Sequence, residues 1–134
     1  MTATLAAFGK GHEFTPISFE LTQDWVGAYV AAVEDDAIAS SSNTVPPMAL
    51  ATLGVRTLLE SAGLPQGAVH VGQELSFTRA VRVGEALAAR ARIVSRGERA
   101  GWVLMGLDLL IADADACEVM AGRATLTFPA EEAA

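Results

Sequence analysis

The chain has 134 residues, 51% of them hydrophobic and 19% charged, with a formal net charge of −7. That length suits one domain around one core, and that composition excludes general disorder. The acidic balance excludes the broad phosphate contacts of a nucleic-acid binder, so no nucleic-acid partner is expected.

One region departs from the acidic average. Six of the nine basic residues, Arg79, Arg82, Arg90, Arg92, Arg96 and Arg99, fall within 21 positions. They could serve a small phosphorylated ligand or simply solvate a strand face. Cys117 is the only cysteine, which rules out an intrachain disulfide and a thiolate zinc set and fits a reducing cytoplasm. It reads as a small packing side chain, since no basic residue adjoins it to make it a nucleophile. Neither a metal nor a cofactor is expected. The first residues, MTATLAAFGKGHEF, have a short apolar run and no basic region before it, so neither a signal peptide nor a membrane anchor is expected.

In chain order, residues 1–12 read as a loose lead-in with Gly9 and Gly11, and His12 is expected to be exposed. Residues 13–20 alternate through Phe14, Ile17 and Phe19, and Pro16 limits them to an edge strand. Thr22 is a helix cap. From Gln23 to Val33, Trp25, Val26, Tyr29, Val30 and Val33 recur at three- and four-residue spacing, giving an amphipathic helix. Residues 34–44, EDDAIASSSNT, read as a loop.

Val45 to Gly63 is the centre of the arrangement. Pro46 and Pro47 open a helix where the missing N–H groups cost nothing, and Gly63 followed by Pro65 closes it. Apolar side chains from Met48 to Leu59 occupy every side of the first three turns, leaving no face for water before Arg56. Such a helix must be wrapped by other elements, and it is too short and polar-ended to span a bilayer.

After a turn at residues 63–68 the period changes to that of strands. Residues 68–78 place Val69, Val71, Leu75 and Phe77 toward the core and His70, Glu74 and Ser76 away from it. Residues 86–95 alternate Leu87, Ala89, Ala91 and Ile93 against Arg90 and Arg92. Residues 95–101, SRGERAG, read as a hairpin loop. Residues 102–111 are apolar on both faces apart from Asp108, which predicts a central strand covered twice and hence self-association of an uncovered monomer. Residues 119–128 form the last strand, and the tail from 129 should fray. The fold class is therefore α+β, a single domain over 1–134 in which a curled antiparallel sheet wraps a long central helix.

The segment GAVHVGQELSFTRAVRVGE, Gly67 to Glu85, resembles a strand and turn of the hot-dog superfamily, specifically its MaoC-like (R)-specific enoyl-CoA hydratases and acyl-thioester dehydratases. Gly72, Gln73, Leu75, Phe77, Val83, Gly84 and Glu85 fit that pattern, and Ala80 stands where proline is usual. Val45, Met48, Leu50, Ala51, Thr52 and Leu53 are similar to the start of that family's central helix. The resemblance covers residues 14–128.

It implies an acyl thioester of CoA or acyl-carrier protein as ligand, no cofactor, and a homodimer or a heterodimer with a second hot-dog chain. It also implies hydration or dehydration by an aspartate and a histidine in the loop before the central helix, four residues intervening. Asp35, or Asp36 as an alternative, occupies the aspartate position, while the histidine position holds Ser40. A serine without an adjacent base cannot take over that proton transfer. Pro46 and Pro47 stand in place of the family's His-Gly, so Met48 N–H is left to polarise the thioester carbonyl at the helix start. Met48, Thr52, Gln73, Phe77, Arg79 and Arg82 are the candidate substrate-binding residues. Each has a plainer reading: the aspartates as solvated loop residues, the Thr52 hydroxyl bonded one turn back, the arginines in solvent. His70 could supply the missing imidazole from its strand or could be structural. Two expectations follow. The chain is a hydratase or dehydratase with a degraded catalytic loop, or it is a catalytically silent subunit completing the sheet and acyl tunnel of a catalytic partner. A hot-dog thioesterase fits less well, because Asp35 precedes the central helix instead of lying within it.

Overall fold

The structure, a computed structural model, describes residues 4–33 and 44–130. Asp35, Asp36 and Ser40 lie outside the described residues. Strand β1 (Ile17–Phe19) leads into helix α1 (Gln23–Val33); helix α2 (Pro47–Ala62) precedes strands β2 (Val69–Phe77), β3 (Leu87–Arg99), β4 (Trp102–Asp113) and β5 (Glu118–Pro129). The strands form one five-stranded sheet in the order β1-β3-β4-β5-β2. All four strand pairs are antiparallel. Consecutive hairpins bring β3, β4 and β5 side by side, and the two strands that flank the helices in sequence end at opposite edges.

The alternation of β3, β4 and β5 decides which face meets α2. Leu87, Ala89, Ala91 and Ile93 on β3, Val103, Met105, Leu107, Leu109 and Ile111 on β4, and Ala124, Leu126 and Phe128 on β5 are all buried. Against them α2 lays Ala49, Leu50, Gly54, Leu58 and Ala62. A Cβ on Gly54 would overlap the Ile111 side chain, so the glycine that weakens helix propensity lets the helix approach the sheet closely. Thr22 caps α1 as expected, its Oγ1 accepting from Trp25 N at 3.1 Å.

Three expectations need correction. Among the described residues the wrapping of α2 is one-sided: Met48 is 52% exposed and Thr52 is exposed too, because the sheet curls over only part of the helix. The lead-in is packed from residue 4 onward. Leu5 is fully buried, its N–H donates to Gly63 O at 2.9 Å, and Arg96 Nη1 donates to Ala6 O and Phe8 O at 2.9 Å each. His12 is half-buried, stacked on Phe8 with ring centroids 3.9 Å apart. The span 95–101 is mostly strand, since β3 continues to Arg99 and a two-residue turn at Ala100 and Gly101, both at positive φ, carries the chain into β4. Strand β4 is central, and in the single chain one of its faces is uncovered, as expected of a monomer. Trp102 and Leu104 on that face are 48% and 56% exposed.

Candidate functional site

The exposed side of α2 faces the inner side of β2, the edge strand, across an apolar cavity of about 450 Å³. Met48, Ala51, Thr52, Val55 and Leu59 line it from the helix, and His70, Gln73 and Leu75 line it from the strand. A β-bulge produces that arrangement. Between His70 and Gly72 the register on β5 slips by one residue, so Val71 has no partner and the phase of alternation reverses. His70, expected to point away from the core, pairs with buried Leu126 and lines the cavity. Val69 and Val71, expected in the core, are each 52% exposed. Gly72 in mid-strand was the available signal for a bulge.

The polar groups in the cavity wall are largely committed to one another. His70 Nε2 lies 3.0 Å from Gln73 Oε1, and Gln73 Nε2 donates to Glu74 O at 3.0 Å. Thr52 Oγ1 donates to Met48 O one turn back at 2.6 Å, the plainer of its two readings, and still lines the cavity. At the far end Arg56 Nε and Glu60 Oε1 pair at 2.9 Å, so their charges close on each other and the cavity between stays apolar. The space suits a hydrocarbon chain with a polar head at one end. The start of α2 adds a second feature. With proline at 46 and 47, Met48 carries the helix's first N–H, at the end where the backbone dipoles favour negative charge.

The segment that carried the sequence resemblance ties this region together. Leaving β2, the chain makes a turn in which Val81 is buried, Val81 O accepts from Val45 N at 2.8 Å, and Arg82 bridges Thr44. Gly84 N donates to Leu21 O at 2.9 Å. The entrance to α2 and the approach to α1 are thus fastened to one turn. Arg82 sits beside the helix entrance with an exposed side chain. The Arg79 guanidinium is held by Glu85 Oε1 and, at 2.8 Å, by Asp113 Oδ2. The Arg79 hydrogen bond, then backbone N–H donors, hold the Glu85 and Asp113 carboxyls below their ordinary values, and the two carboxylates raise the pKa of Arg79 in turn.

Of the candidate substrate-binding residues, Met48, Thr52 and Gln73 come together on the cavity, whereas Phe77, Arg79 and Arg82 do not line it. Val55 and Leu59 stand out in the sequence only as apolar helix positions, Ala51 as one of those and as part of the helix resemblance, and Leu64 not at all. His70, a candidate for the missing imidazole, does line the cavity. Among the described residues no group of acidic, histidine and cysteine side chains could hold a metal ion, and no helix is long and apolar enough to cross a membrane.

A curled antiparallel sheet on a central helix, with a cavity where the helix meets the edge strand, is the hot-dog fold. The chain is similar over nearly its whole length to solved structures of that fold. The MaoC-like dehydratase from Rhodospirillum rubrum matches with a TM-score of 0.77 at 17% identity, covering 98% of this chain and 99% of that one. The (R)-hydratase from A. caviae involved in PHA biosynthesis matches at 0.73 and 24% identity, covering 92% and 98%. The HadBC (3R-hydroxyacyl-ACP dehydratase) complex from Mycobacterium tuberculosis matches at 0.72 and 23% identity, covering 92% and 100%. No protein-family model and no curated protein matches the sequence.

Proposed function

We propose that this chain handles acyl thioesters of CoA or acyl-carrier protein in the manner of MaoC-like enoyl hydratases and 3-hydroxyacyl dehydratases. The observation that carries the reading is the apolar cavity between α2 and β2, which starts at the helix end offering the Met48 N–H. The acyl chain lies along Ala51, Val55 and Leu59. The thioester carbonyl sits at the helix start, where the Met48 N–H stabilises the negative charge that develops on its oxygen. Asp35 or Asp36 orients the water. Hydroxide adds to the β-carbon and a proton to the α-carbon, or the reverse in dehydration. His70 in the cavity wall supplies the imidazole that the loop lacks at Ser40. Arg82 beside the helix entrance and, less directly, Arg79 and Phe77 serve the phosphopantetheine arm. A second hot-dog chain, identical or not, completes the site, and the protein works as one domain in a reducing cytoplasm.

A test is the hydration of crotonyl-CoA by the purified chain. Turnover is expected to fall about 10²–10⁴-fold in Asp35→Asn or Asp36→Asn, and comparably in His70→Ala. Full activity in all three variants would overturn the assignment of roles. The second reading, a catalytically silent subunit, is favoured by Ser40 at the histidine position and by the two-subunit dehydratase among the similar structures. On that reading the chain alone binds acyl-CoA without turning it over, and activity appears only with a partner chain that carries the full aspartate–histidine loop.

A further inference from the structure

The face of the sheet turned away from α2 carries a row of charges fixed by strand register. Glu13 bridges Arg92, Arg92 pairs with Asp108, Asp108 with Arg123, and Arg123 with Glu74. The sign alternates at every step, from the isolated bridge at Glu13, ahead of β1, across β3, β4, β5 and β2. Arg123 Nε and Asp108 Oδ1 close to 2.7 Å with their side chains 51% and 40% exposed, so the row is open to a partner. Toward the β3–β4 turn the same face becomes apolar. Leu104, 56% exposed, has Gly97 beside it on β3, and Trp102, 48% exposed, has Arg99. A Cβ on Gly97 would meet nothing within 4 Å, so an open hollow adjoins the Leu104 side chain.

We propose that this face packs against the same face of a second copy of the chain, on a two-fold axis parallel to the strands and running between β3 and β4. The charge order selects that axis. An axis along the row would set every charge against itself, and one lying on β4 would set like against like throughout. An axis between two strands sets each charge against its opposite. Of the between-strand positions, the one between β3 and β4 also drops Leu104 into the hollow at the partner's Gly97. It stacks Trp102 on the partner's Arg99 guanidinium, and sets Asp108 against the partner's Arg92 and Glu13 against the partner's Arg123. Shifted one strand over, Leu104 would meet the partner's Thr127 and Trp102 the partner's Pro129. Aligned face-to-face packing of twisted sheets accommodates this geometry at the usual inclination of about 30°. The surface is separate from the acyl cavity, so the pairing stands or falls independently of the proposed chemistry.

Light scattering on the purified full chain tests it. Asp108→Arg and Gly97→Arg each halve the mass of the wild-type assembly while leaving far-UV circular dichroism unchanged, because both positions are open in the single chain. Glu74→Arg, a charge reversal in the same row but beyond the overlap set by this axis, leaves the mass as it is. A monomeric wild type, a wild-type mass in folded Gly97→Arg and Asp108→Arg, or a mass halved by Glu74→Arg would each overturn the proposal.

Discussion

Arg79 is gripped from two directions, by Glu85 across its own turn and by Asp113 at the end of β4, so one side chain staples the β2 exit to the β4–β5 connection. Because both carboxyls are depressed below 4.5 and 3.8, their ordinary values, the folded state binds fewer protons than the unfolded one. The contribution is complete above about pH 5 and is lost as pH falls through the depressed folded values. Urea melts of Arg79→Met and wild type should therefore differ most near neutrality and converge in acid; a gap independent of pH would contradict the staple. Gly122 makes a different demand. A Cβ there would run into the Glu74 carbonyl oxygen, a backbone atom of β2, whereas a Cβ on Gly54 meets only the movable tip of Ile111. Gly122→Ala is expected to cost about 1–3 kcal/mol by chemical denaturation, and Gly54→Ala less. At this scale the sequence was least legible. Alternation alone cannot reveal that Val71 is unpaired, and that single slip exchanged the faces of Val69 and His70. The candidate carboxylates, Asp35 and Asp36, were picked out from sequence and lie outside the described residues.

Helix α2 has two unlike sides. Leu50, 2% exposed, sits among sheet residues, and Met48, 52% exposed, borders the cavity. Leu50→Ala should destabilise the fold by about 2–5 kcal/mol, while Met48→Ala should cost under about 0.5 kcal/mol and, on the proposed function, act instead on acyl-chain affinity. Equal losses in thermal or chemical melts would mean that the helix is enclosed all round. The element itself was readable because prolines mark its start and Gly63 its end, and every predicted strand exists within a few residues. What could not be read was how far the sheet reaches around an all-apolar helix, since its apolar residues serve core and ligand alike. The two-residue turn at Ala100 hid for a similar reason. Alanine is an unusual choice at positive φ, so the two glycines within SRGERAG, Gly97 and Gly101, suggested a longer loop.

For the molecule as a whole, the alternating row on the outer face answers a question raised by the net charge of −7. Like-charged copies repel at long range, yet opposed signs at contact distance can hold them together. Raising salt screens both effects over a Debye length that shrinks to about 3 Å at 1 M, leaving the Leu104 and Trp102 contacts. The assembly should therefore weaken but persist in high salt for wild type, and dissociate there in Leu104→Ser, as sedimentation would measure. The curled sheet and central helix were legible because their patterns of two and of three to four residues are separated in the chain. The charge row was not, since it joins residues as distant as Glu13 and Arg123 and exists only once register is set.

The strand order carries one more consequence, for the way the chain reaches its native state. β3, β4 and β5 are joined by short reversals and can zip together early, whereas β1 must find β3 across α1 and α2, and β2 must travel past the finished meander to reach β5. Amide protons in the middle of β4 should accordingly be the last to exchange with heavy water, and those of β1 and the outer half of β2 among the first.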